Sequence, residues 1–172
     1  MNTVNNKRRR ESVEKIEKTF IELLQDKELE AITVSDICKK TGLNRSTFYS
    51  NFMDIYDLAD KVKENLENEF AELFKDYKNC NEHNGALRMF THIKENQLFY
   101  KTYFKLCYKS EHLISIYNEE RVEKDQIKDD LKYHIEFFRN GLNAIIKMWM
   151  AGGCKESPQE MADILKKEYG GR

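Results

Sequence analysis

The stretch Thr33-Val-Ser-Asp-Ile-Cys-Lys-Lys-Thr-Gly-Leu-Asn-Arg-Ser-Thr-Phe-Tyr-Ser-Asn-Phe, residues 33–52, holds two short helical patterns on either side of one glycine. Thr33 is followed three residues later by Asp36, a near relative of the capping box with aspartate in the reciprocating position. Val34, Ile37 and Cys38 then supply the buried stripe of a short helix. Gly42 stops it, because a residue without a Cβ permits the backbone of a tight reversal. Leu43 is the apolar residue after the turn, and Asn44 is placed to cap the next helix, which starts at Arg45. Phe48 and Phe52 face inward four residues apart, with Asn51 near the end of that helix. Ile37, Cys38, Leu43 and Phe48 are expected to lock the pair against a preceding helix, which makes a helix-turn-helix.

The second helix of the pair is rich in short polar side chains. Arg45, Ser46, Thr47, Tyr49 and Ser50 all carry donors, and all but Arg45 carry acceptors as well, which is the inventory a groove-reading helix needs. Arg45, at its N-terminal end, is the candidate for a guanine edge or a flanking phosphate. Ser46 and Thr47 are short enough to let the backbone approach DNA, Thr47 also offers a methyl to thymine, and Tyr49 suits a phosphate better than a base. The capping residues Thr33 and Asn44 are further DNA-contact candidates, and Lys61 is a further phosphate candidate.

Outward from this motif, Val13, Ile16, Phe20, Leu23 and Leu24 recur at three- and four-residue steps, predicting a first helix from about Arg10 to between Asp26 and Glu28. Residues 1–9 are expected to form a basic flexible arm. Lys7, Arg8, Arg9 and Arg10 then act either as a solubilising tail or as an arm that follows the DNA backbone or enters the minor groove. On the other side, Asp54 caps a helix carrying Ile55, Leu58, Val62, Leu66, Phe70 and Phe74. The polar stretch Asp76 to Gly85 interrupts the pattern, and helices follow over about 86–96, 98–108, 113–124 and 126–151. Gly152-Gly153 ends the longest, and Ser157-Pro158 opens a final one with a cap and a proline at its first position.

The fold class expected is all-α with about nine helices. A helix-turn-helix domain occupies 10–53, a connecting helix 54–75, and a helical regulatory and dimerisation domain 76–172. Composition agrees, since one proline in 172 residues favours long helices and ten Phe with nine Tyr furnish a core. A formal net charge of -1 looks wrong for a nucleic-acid binder until it is divided: residues 1–50 carry a net +2 and the remainder a net -3. Cys38, Cys80, Cys107 and Cys154 form no CxxC pair, as expected of reduced thiols in a cytoplasmic protein. No secretion signal and no run of 18 apolar residues is present, so neither export nor a membrane partner is expected. His83, His92, His112 and His134 have no metal-ligand spacing, and there is no phosphate-cradling glycine loop or serine elbow. No catalytic residue, metal or cofactor is expected, and the chain is read as a non-enzyme.

Over residues 10–62 the pattern resembles the TetR-type one-component repressors. The resemblance rests on Ile32 to Cys38, Thr41-Gly42-Leu43, Thr47-Phe48-Tyr49, Asn51-Phe52 and Asp57-Leu58. It implies that Gly42 sits at the turn, Phe48 and Phe52 are core, Tyr49 contacts phosphate, and the recognition helix begins near Arg45. One departure is visible: relatives usually carry a lysine just after the Phe52 motif, where this chain has Met53, Asp54, Ile55 and Tyr56. Farther along, Phe137 to Leu142, Met148 to Cys154 and Ser157 to Met161 resemble the C-terminal domain of Firmicute regulators of dihydroxyacetone utilisation, which implies that the last two helices pair with a partner subunit.

A short recognition helix reads only a few base pairs, which argues independently for a homodimer on two half-sites. Gly141, Ile145, Met148, Trp149, Met161 and Leu165 are its candidate interface, with burial inside one domain the competing reading for some of them. Phe90, Phe99, Tyr100, Tyr103, Phe104, Tyr108, Tyr117 and Phe138 are either ordinary core or the wall of a pocket for a small-molecule inducer of unspecified identity. The function expected is a dimeric repressor, bound to double-stranded DNA at a palindromic operator and released by a small molecule. The alternative is a non-enzymatic coactivator, or a helical protein that works through a protein partner with little DNA binding of its own.

Overall fold

A computed structural model describes residues 4–74, 82–106 and 129–169. It is all-α: among the described residues there are eight α-helices and one 3-10 turn. The helices are α1 (Val4–Asp26), α2 (Val34–Thr41), α3 (Arg45–Tyr49), α4 (Ile55–Phe74), α5 (Glu82–Glu95), α6 (Gln97–Leu106), α7 (Asp129–Ala151) and α8 (Pro158–Tyr169). The helix expected over 113–124, with Cys80, Cys107, Tyr108, His112 and Tyr117, lies outside the described residues. Two starts differ from the sequence reading. Helix α5 begins at Glu82 inside the expected polar interruption. Helix α1 begins at Val4, so Lys7–Arg10 ride on a helix and not on a flexible arm. Nothing from Asn5 to Arg10 breaks a helix, and Ser12 Oγ donates to Arg8 O while Lys7 meets Glu11 one turn on.

The chain divides into two compact units. The first takes α1–α3, α4 as far as Leu66, and α6 from Lys101. Its core is the stripe read from the sequence: Ile16, Phe20 and Leu24 of α1, Ile37 of α2, Phe48 and Phe52, and Ile55, Leu58 and Val62 of α4. Between α1 and α2 a 3-10 turn, Leu29–Ala31, buries Leu29, and Ile32 is buried just after it. The last turn of α1 has no basic residue of its own. Lys105 of α6 supplies one, its Nζ donating to Leu24 O at 2.6 Å, so a cation meets the negative end of the helix. Beside it Gln25 Nε2 donates to the buried Thr102 hydroxyl at 3.3 Å.

The second unit takes the rest of α4, α5, the start of α6, α7 and α8. Helix α5 packs along α8. Phe90 meets Trp149 edge to face at 5.5 Å, and Trp149 Nε1 donates to Glu156 O, which also accepts from Lys94 Nζ. Burial holds the His92 imidazole below its usual range, and its Nδ1 hydrogen-bonds the Tyr100 hydroxyl at 2.8 Å. The link from α7 to α8 turns through Gly153 and Cys154, both with positive φ, and the buried Cys154 closes it by donating its N–H to Trp149 O. Ser157 and Glu160 then form a capping box, Glu160 N to Ser157 Oγ and Ser157 N to the Glu160 carboxylate.

Candidate nucleic-acid interface

The motif is built from its caps inward. Thr33 Oγ1 accepts from Asp36 N at 3.2 Å and donates to Asp36 Oδ2, while Thr33 N donates to the same carboxylate oxygen. Lys27 Nζ adds a fourth contact at 3.2 Å. Together the Thr33 bonds and Lys27 hold the Asp36 carboxyl below its usual range. At the far end of α2, Gly42 takes φ 71 and donates its N–H to Cys38 O. A Cβ there would meet nothing within 4 Å, so the position needs glycine for its dihedral and not for room. Buried Thr41 donates to Ile37 O at 2.7 Å and accepts from Leu43 N, which closes the turn. Asn44 has the extended backbone of a cap, but its side chain makes no capping bond; its carbonyl receives Thr47 N and Phe48 N instead.

Helix α3 is only five residues long and is held by Phe48, whose buried ring lies 5.5 Å from Tyr49 and 5.7 Å from Phe52. That anchor leaves Arg45, Ser46, Tyr49 and Ser50 exposed, together with Asn44 before them, while Thr47 is half-buried. The Arg45 guanidinium has no partner among the described residues. Ser50 Oγ and Asn51 Nδ2 both donate to Thr47 O at 2.8 Å. Asn51 Oδ1 accepts from Arg9 Nε at 2.9 Å. The amide of Asn51 therefore ties the basic turn of α1 to the end of α3, a link for which the sequence carries no local signal.

Lys7, Arg8, Arg9 and Arg10 are exposed on that same part of α1. The two remaining expected contacts are already engaged. Thr33 spends its hydroxyl on the cap, and Lys61 pairs with Glu64 at 2.6 Å, which raises its pKa further. Just after Phe52, Met53 is 79% exposed, beside the exposed Tyr56. The first turn of α4 is fixed by Asp57 N donating to Asp54 Oδ1 and Met53 N donating to Asp57 Oδ2.

The other expected sites fare differently. Trp149, 3% exposed, packs on Phe90 of α5, and Met161 of α8 is 4% exposed, so both side chains are buried within their own unit. Met148 is 72% exposed, and Gly141, Ile145 and Leu165 are half-buried. Of the ring residues, Tyr103 and Phe104 belong to the first unit, where they contact each other, and Phe90, Phe99, Tyr100 and Phe138 belong to the second. Phe90 and Tyr100 are buried by the neighbours named above, and Phe99 packs on Tyr100 at 5.0 Å.

A family model described as a transcriptional regulator C-terminal region matches residues 80–168, and a model for a family of unknown function matches residues 1–115. The HTH-type dhaKLM operon transcriptional activator DhaS of Lactococcus lactis subsp. lactis is 33% identical over 110 residues, or 63% of this chain. The match spans 57% of that relative's length. Two solved structures share the fold. One is the fatty acid degradation regulator FadR from Bacillus halodurans, with TM-score 0.61 and 12% identity over 90% of this chain and 92% of that one. The other is a dihydroxyacetone kinase operon activator, DhaS, with TM-score 0.52 and 24% identity over 91% and 92%.

An all-helical chain with a helix-turn-helix near its N-terminus defines a class, the helical one-component regulators. Within that class this chain belongs to the TetR family of transcriptional regulators.

Proposed function

We propose that this chain is a sequence-specific DNA-binding regulator that acts as a homodimer in the cytoplasm, with no catalytic role. One observation carries the reading: α3 exposes Arg45, Ser46, Tyr49 and Ser50 on a rigid anchor, and Asn51 holds Arg9 beside them. Arg45 reads a base edge or a phosphate at the entrance of the major groove, Tyr49 holds phosphate, and the basic turn of α1 follows the neighbouring backbone. Where relatives carry a lysine, Met53 brings no charge, so phosphate binding is carried by Tyr49 and Lys7–Arg10.

Dimerisation is supported by α7. Tyr133, Phe137 and Met148 are exposed along one stripe, with Gly141, Ala144 and Ile145 between them, and Ile164 is exposed on α8. Such a stripe suits a second copy, and two copies place two recognition helices on half-sites about 34–36 Å apart or a multiple of it. An effector that binds the DNA-competent and DNA-incompetent states unequally then shifts occupancy.

Repression relieved by an effector is the first reading of the sign. Activation is the second, favoured by the curated relative, which is named as an operon transcriptional activator. A reporter carrying the bound site separates the two. The DNA reading itself is tested by titrating duplex with the wild type, Arg45→Ala and Tyr49→Ala across salt concentrations. Arg45→Ala should cost about 1–3 kcal/mol and relax discrimination, while Tyr49→Ala weakens all sequences alike and leaves the salt slope unchanged, because a neutral phenol releases no counterion. Wild-type chain that binds no duplex at low salt contradicts the reading.

A further inference from the structure

We propose that Arg139 and Asn143 of α7 are the polar anchor of a small-molecule site in the second unit, and that the site takes a carboxylate. The proposal rests on the reading that this regulator answers to an effector, and it names the chemistry of that effector. Among the described residues, two buried side-chain nitrogens have no hydrogen-bond partner, Arg139 Nε and Asn143 Nδ2. They stand four residues apart on one helix, so one turn separates them and they share the buried face of Leu142 and Ile146. Asn143 is 5% exposed and the Arg139 side chain 17%. Folded proteins leave few such groups without an acceptor, because each costs its full desolvation. Two other buried polar side chains, Thr41 and Thr102, find partners nearby: Thr41 donates to Ile37 O, and Thr102 accepts from Gln25.

The two atoms are both donors, and one belongs to a cation. The Arg139 guanidinium meets Glu136 through Nη1 at a long 3.4 Å, and Glu136 is more than half exposed, so its charge is only partly neutralised. A carboxylate offers two oxygens and one negative charge, so Arg139 Nε donates to one oxygen and Asn143 Nδ2 to the other. An alcohol offers one oxygen and no charge. A phosphate dianion brings a second charge, for which this pair has no second cation. Leu142 and Ile146 on the same face suit an apolar tail on the acid.

Two measurements on the full chain, without DNA, test the proposal. First, groups kept for a ligand are a liability in its absence, so Asn143→Leu, which removes the unpaired amide at similar volume, should raise the Tm of the ligand-free chain by about 2–4 °C. A fall of that size means the amide is engaged by the fold and overturns the proposal. Second, straight-chain monocarboxylates from acetate to octanoate are titrated while Tm and the fluorescence of Trp149, the single tryptophan, are followed. Saturable stabilisation is expected in the wild type, stronger with chain length, absent in Asn143→Leu and Arg139→Met and absent with the matching alcohols. Equal responses in the variants, a response to inorganic phosphate in place of the acids, or no response to any acid overturns it. A chain that binds carboxylates yet no duplex defeats the DNA reading alone, and one that binds duplex but no acid defeats this proposal alone.

Discussion

Arg9 and Asn51 are 42 residues apart in the chain and 2.9 Å apart at their polar atoms. If that bond places the guanidinium on a phosphate, its two partners act as one unit. Arg9→Lys keeps the charge and loses the Nε donor, while Asn51→Ala keeps the charge and loses the acceptor. Each should weaken duplex binding by about 1 kcal/mol and lower the salt slope by about 1, and the double variant should be no worse than either single one. An additive double variant would mean that Asn51 touches DNA by itself, and a silent Arg9→Lys would mean that charge alone matters at this place. At this scale the sequence was legible where the constraint is local. Gly42 with Phe48 and Phe52 declares a turn and an anchor by dihedral need and helical period. It was illegible where two side chains meet only because two helices pack, as for Arg9 with Asn51 or Lys105 with the end of α1.

Helix α2 stands on one cap and one turn, and each has a separate signature. Gly42→Ala meets no clash but must hold φ near 71, so it should cost about 1–2 kcal/mol in chemical denaturation. An unchanged midpoint would mean that the turn relaxes to another conformation. Asp36 titrates below its usual 3.8 in the folded chain, so its contribution is present at neutral pH and is lost as pH falls through that lowered value. Asp36→Asn should therefore flatten the acid side of the stability profile; an unchanged slope there would show that Lys27 and Thr33 do not hold the carboxylate in solution. Element ends were the least legible feature. Helix α1 runs six residues beyond its expected start because Asn5–Arg10 are polar, and a polar helix turn leaves no apolar period to read. The capping box at Thr33 was legible because its two partners sit three residues apart.

In the whole molecule the reading depends on a second copy. Phe137→Glu or Met148→Glu puts charge on the exposed stripe of α7 without touching the buried face, so either should leave helicity intact and shift a dimer to monomer in sedimentation at micromolar concentration. A wild type that is already monomeric there contradicts the dimer. The sequence marked α7 as apolar on more than one side but not which side meets its own chain. That is why Trp149, expected at the interface, packs instead against Phe90 inside one unit.

Selecting duplexes bound by the full chain from a random pool tests sequence-specific binding by two paired copies. Enrichment of one two-fold symmetric site is expected, its half-sites about 34–36 Å apart or a multiple of it, with that enrichment lost in Arg45→Ala. A pool that returns no symmetric site, under salt conditions where the chain still binds DNA, would contradict it.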